Sequence, residues 1–295
     1  MDFIANLIPL AAEPYPVSAP FSHERTLVGL SMLAAVLGSY TFLEAAARGK
    51  THRGAAAVLW MACAGGVLGV CVWATHFLGL LAMETPLQHG FILAPTVISA
   101  IITVVSLGLC AAILGTKPSW AAVIVAGSAV GVCMIVMHYL GMQGLRIEAV
   151  LSYRPVPIVV TSIGALGAVV CAFLFAHHLD SSWLRGVLAF PMGAGIAGLH
   201  YTDMAATIIT PRPAFASAPE APVMLLSLAV TGGVVLAVAA ALGAVVLDRK
   251  RAEARQAREE AQTDVVVIPH PARRSADADG GDTIIHIPDR TMRGR

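Results

Sequence analysis

The chain has 295 residues, 57% of them hydrophobic and 13% charged, with a formal charge of +1 and a mean hydropathy of +0.76. A soluble domain carries roughly 25% charged residues, so this composition excludes an ordinary soluble protein and points to the lipid bilayer. The near-zero net charge gives no sign of a nucleic-acid or other polyanion partner.

Residues 1–21 open with a short apolar run and no basic stretch, which does not read as a cleaved signal peptide. They are expected to form an extracytoplasmic N-terminal segment. A spanning helix needs about 20 mainly apolar residues, and seven stretches qualify: 26–47, 56–83, 91–115, 119–144, 156–177, 183–208 and 222–247. The expected fold is therefore an all-α membrane protein with seven transmembrane helices over residues 22–250.

Lys and Arg concentrate in cytoplasmic loops. Eight of these residues (Arg48, Lys50, Arg53, Lys117, Arg185, Arg249, Lys250 and Arg251) fall on one side of that layout, and four (Arg25, Arg146, Arg154 and Arg212) on the other. This predicts an N-out, C-in protein of the bacterial inner membrane. Residues 251–295 form a polar stretch after a short helical extension near 248–262, and are expected to be a cytoplasmic tail, disordered in isolation. Two apolar segments in it, at 265–270 and 283–288, resemble each other and offer a docking point for a partner. The five cysteines all lie in apolar stretches and form no disulfide framework.

The ends of spans two, four and six repeat: THFLGLLAM at 75–83, MHYLGMQGL at 137–145 and LHYTDMAAT at 199–207. His76, His138 and His200 are spaced 62 residues apart, and Gly69, Gly131 and Gly193 keep the same spacing seven positions earlier. Each unit is a helical hairpin, so the seven helices are three repeated hairpins plus one extra helix. The glycines let helices approach closely. They share a face with the histidines, which turns the imidazoles inward and places all three at the outer membrane side.

An ionisable residue within a span is by default a functional-site candidate, and three in phase strengthen that reading. Met142 and Met204 follow His138 and His200 by one turn on the same face. The first unit has Leu80 at that position and offers Met83 two turns on. Imidazole suits copper, zinc, iron and nickel, and thioether selects the soft end, so copper is the expected metal. Asp203 replaces the glycine found at 79 and 141 and can serve a ligating histidine as an outer-shell carboxylate. Cys71 and Cys133 precede their histidines by five, but Gly195 in the third unit argues against a ligand role. Trp73, Tyr139 and Tyr201 fit an aromatic belt, and Glu44 is assigned no chemistry.

These motifs, THFL, MHYL and LHYT in alternate spans together with the Ser39–Tyr40 pair of the first, resemble the MHYT domain of bacterial membrane sensors over residues 22–250. The resemblance implies a seven-helix sensory domain whose outer His and Met residues bind copper and respond to a diatomic gas such as oxygen, carbon monoxide or nitric oxide. Carried onto this chain, the metal candidates are His76, His138, His200, Met142, Met204 and Met83. Family members often carry cyclic-nucleotide enzymes after the membrane part. The 48 residues after the last span hold no such domain, so output is expected to pass to a separate cytoplasmic signalling partner. Copper handling or transport and haem binding are the competing classes. Catalysis is not expected, since no nucleophile has a positioned base.

Overall fold

The computed structural model describes residues 6–12, 16–212 and 223–264. It divides into two units, Met1–Arg249 and Lys250–Arg295. The second is described only to Asp264, over which it is helical. The paired apolar segments at 265–270 and 283–288, and the disorder expected of the tail beyond Asp264, lie outside the described residues.

Among the described residues, seven long helices make up most of the chain: α1 (Arg25–Gly49), α2 (Gly54–Leu81), α3 (Leu93–Leu114), α4 (Trp120–Gln143), α5 (Pro155–His178), α6 (Ser182–Ala206) and α7 (Val223–Asp264). Local chemistry marks their starts. The Glu24 carboxylate accepts from the backbone N–H groups of Thr26 and Leu27 at 2.8 and 2.7 Å, capping α1 and holding its own pKa below the usual carboxylate range. Ser119 caps α4, Ser181 caps α6, and Pro155 opens α5 where its missing N–H costs nothing. Six of the seven helices are long and apolar enough to cross a membrane. The helix that falls short is α6, which carries Arg185, Pro191 and Asp203.

The described residues also hold six short strands not expected from the sequence: β1 (Ser22–His23), β2 (Met83–Glu84), β3 (His89–Phe91), β4 (Leu145–Ile147), β5 (Ala149–Tyr153) and β6 (Thr207–Pro211). They pair antiparallel as β1·β2, β3·β4 and β5·β6. Each ladder joins the strand before an odd-numbered helix to the strand after the next helix. The open ends of the hairpins α1/α2, α3/α4 and α5/α6 are thus each tied shut, and the three-hairpin organisation is realised directly.

Each of helices α1 to α6 packs on its neighbours in the chain, and α6 packs on α1, closing a ring. The repeated glycines permit the close seams. A methyl group at Gly69 would strike the α3 backbone at Thr103–Val104, one at Gly131 would strike Leu166 of α5, and one at Gly193 would strike the backbone of Val36 in α1. Tyr139, expected in an aromatic belt, is instead buried in the core at 1% exposure.

At the end opposite the ladders, charged side chains tie α1, α6 and α7 together. Glu44 is buried and accepts from Arg185 Nε at 2.9 Å and Ser182 Oγ at 3.0 Å, and it also pairs with Arg249. Arg185 donates onward to the carbonyl of Asp180 at 2.8 Å. Arg48 and His52 both meet Asp248, the latter at 3.3 Å. Glu44, assigned no chemistry from its position in the sequence, is the centre of this network.

Candidate metal centre

Helices α2, α4 and α6 bring their histidines together beneath the ladders. His76, His138 and His200 are 3%, 7% and 4% exposed, and their ring centroids lie 4.7 Å (76–138), 5.0 Å (76–200) and 5.6 Å (138–200) apart. Nδ1 of His76 and Nδ1 of His200 share a hydrogen bond of 3.1 Å, one donating and the other accepting. The Nε2 atoms of all three rings are buried without a hydrogen-bond partner. Such atoms are costly to leave unmet; those of His200 and His76 lie against the helix positions Gly79 and Gly141. One nitrogen from each ring lies within 4.8 Å of the others, and imidazole is a common ligand for zinc, copper, iron and nickel.

The convergence follows a cyclic rule. Three residues after each histidine, the helix presents its next position to the imidazole of a neighbouring hairpin. A methyl group added at Gly79 would overlap the ring of His200, and one at Gly141 would overlap the ring of His76. Only glycine leaves room for those rings. In the third hairpin the same position is Asp203, whose Oδ2 lies 3.6 Å from Nε2 of His138. The other carboxylate oxygen accepts from Thr161 Oγ1. The replacement that breaks the sequence pattern therefore completes the circle, placing an acidic group where the other two histidines have a backbone.

Of the six residues singled out as ligands, the three histidines come together. Met83, Met142 and Met204 are fully buried and pack in an apolar cluster with Leu80, Tyr139, Tyr153 and Ile209. They do not line the cavity of about 50 Å³ beside the imidazoles, whereas Met134 and Met137 do. Met134 lies one turn before His138 and escaped notice because methionine occurs there in one repeat only. Its counterparts at 62-residue spacing are Val72 and Ile196, which line the same cavity. Thr161, the partner of Asp203, carried no signal in the sequence.

The MHYT family model, described as a bacterial signalling protein N-terminal repeat, matches residues 69–127 and again 131–189. The two matches begin 62 residues apart, at two of the three repeated glycines. The bifunctional diguanylate cyclase/cyclic di-GMP phosphodiesterase MucR of Pseudomonas aeruginosa is 31% identical over 191 residues, 63% of this chain and 28% of that protein. The signalling protein YkoW of Bacillus subtilis is 29% identical over 197 residues, 63% of this chain and 24% of that protein. The cyclic di-GMP phosphodiesterase NbdA of P. aeruginosa is 26% identical over 200 residues, 64% of this chain and 25% of that protein. The chain thus spans about a quarter of the length of these curated relatives. No solved structure matches.

Proposed function

From a membrane part that carries the MHYT signalling repeat, we propose that this protein is a sensor whose three-histidine centre binds copper and responds to a diatomic gas. The observation that carries the reading is the set of three buried imidazoles gathered from three hairpins, one nitrogen of each within 4.8 Å of the others. Copper rather than zinc is favoured by Met134 and Met137 on the adjoining cavity, since thioether is a soft donor. Met83, Met142 and Met204 stand as an outer set of thioethers next to the same helix ends. A copper ion held by His76, His138 and His200 would supply the chemistry for binding a small ligand. The protein itself orients the rings, excludes water and sets Asp203 against His138.

The bundle is proposed to span the inner membrane seven times, N-out and C-in, with α6 crossing as part of the closed ring despite its polar residues. Charge supports this orientation. The turn end gathers Arg48, Lys50, Lys117, Arg185 and Arg249, as cytoplasmic ends do. Output then leaves by the inner end, where Glu44 joins α1, α6 and α7, and reaches a signalling partner. The named activities of MucR and NbdA make cyclic di-GMP turnover the proposed class of output.

Haem is disfavoured, because a macrocycle does not fit a cavity of about 50 Å³. The test is metal analysis of the purified protein beside a variant with all three histidines changed to alanine. Stoichiometric copper in the native protein and none in the folded variant is the expected result. Native protein that refuses Cu(I) under reducing conditions overturns the reading.

A further inference from the structure

A second cavity, of about 210 Å³, lies one turn below the histidine cavity toward the turn end of the bundle. The two share four lining residues: Val72, Met134, Ile196 and Leu199. The first three sit four positions before His76, His138 and His200, so they form an apolar ring stacked directly under the imidazole ring. The lower cavity continues sideways between α5 and α6, where its lining residues Cys171, Pro191 and Gly195 are exposed on the surface of the helices. Its only polar side chain is the thiol of Cys171. Water needs about two to four polar partners, and an apolar cavity of about 150 Å³ stays dry and takes up benzene or xenon. A hydrated ion finds no oxygen or nitrogen side-chain ligand here, the sulfur atoms of Met134, Met192 and Cys171 being the heteroatoms of the lining.

Resting on the proposed gas-responsive centre, we propose that this cavity is a side port. An uncharged apolar molecule of diatomic size enters it from the lipid phase between α5 and α6 and passes the Val72/Met134/Ile196 ring to the histidines. Two observations fix the size and the direction. The space beyond the ring is only about 50 Å³, which admits a diatomic and refuses an acyl chain or a quinone. The ladder end is sealed by buried Tyr139, Met142, Met204, Ile208 and Ile209, which leaves the side as the open approach among the described residues.

The test uses xenon as the probe on metal-free, full-length protein carrying ¹⁵N-histidine, in phosphatidylcholine nanodiscs. Xenon is expected to produce a saturable shift of the buried imidazole resonances. The variant Gly195→Leu fills the mouth, where an added side chain meets open space and helix propensity improves. It is expected to lose at least about nine-tenths of the shift with its melting temperature retained, whereas Gly198→Leu, also in open space but off the cavity, keeps it. No saturable shift in the native protein, or an undiminished shift in Gly195→Leu, overturns the port. A shift seen in detergent but abolished in nanodiscs identifies a lipid chain as the occupant and overturns it as well. Absence of copper binding bears on the proposed function alone, because the xenon measurement needs no metal.

Discussion

Asp203 stands against His138, Oδ2 to Nε2 at 3.6 Å, from a helix position that is glycine in the other two hairpins. The three imidazoles are therefore alike in burial but not in electrostatic setting. Among the described residues His138 alone of the three has a carboxylate beside it, and that carboxylate is itself held by Thr161. With Asp203 on Nε2, His138 would have only Nδ1 to offer a metal, and a carboxylate on the other ring nitrogen orients a ligating imidazole and raises its basicity.

Replacing Asp203 with Asn keeps the shape and removes the charge. Copper affinity is expected to fall about 10–100-fold, the usual effect of losing an outer-shell partner. Competition titration against a Cu(I) chelator measures it. An unchanged affinity would show that Asp203 serves packing only.

Gly79→Ala and Gly141→Ala each push a methyl group into an imidazole of the next hairpin. Alanine favours helix over glycine by up to about 1 kcal/mol, so the helices persist while the rings are displaced. Metal stoichiometry should drop in both variants and stay at the native level in Gly167→Ala, whose added methyl meets nothing. Equal loss in all three would remove the steric explanation.

Glu44→Gln leaves Arg185, only 5% exposed, without its carboxylate. Breaking a buried ion pair costs about 3–5 kcal/mol, and a lowered thermal midpoint should report it. Arg249→Ala is expected to cost less, since that partner's side chain is 43% exposed. Equal midpoints for Glu44→Gln and native protein would mean the network contributes nothing to stability.

The β1·β2 ladder is expected to loosen in acid. Burial holds the His23 imidazole below its ordinary value of 6.5, although the Glu84 carboxylate pulls the other way. With the folded value depressed, the unfolded chain binds more protons just below 6.5. Stability of this end is thus present above that value and lost as pH falls through it. Hydrogen exchange at the Met83 and Glu84 amides, measured from neutral to mildly acidic pH, should accelerate in the native protein and change much less in His23→Phe.

Much of this architecture was legible because it repeats. Seven apolar stretches locate the helices, and the 62-residue phase of His76, His138 and His200 puts them at one end of one bundle. The strands were hidden by their length, since two to five residues such as Met83–Glu84 carry no period of their own. The pairing of Glu44 with Arg185 joins residues 141 apart and depends on α6 closing against α1, which no local pattern encodes. The Met134 layer was hidden because its equivalents are Val72 and Ile196. What repeats there is apolar character, and in a membrane helix that is indistinguishable from background.

The seam between Gly193 of α6 and Val36 of α1 has a consequence in time. Translation delivers α1 well before α6, with four helices between them, yet these two must meet to shut the ring. While α6 is still missing, the emerging chain displays at most two of the three imidazoles. Any metal that needs all three imidazoles is thereby excluded until the circle of helices is whole.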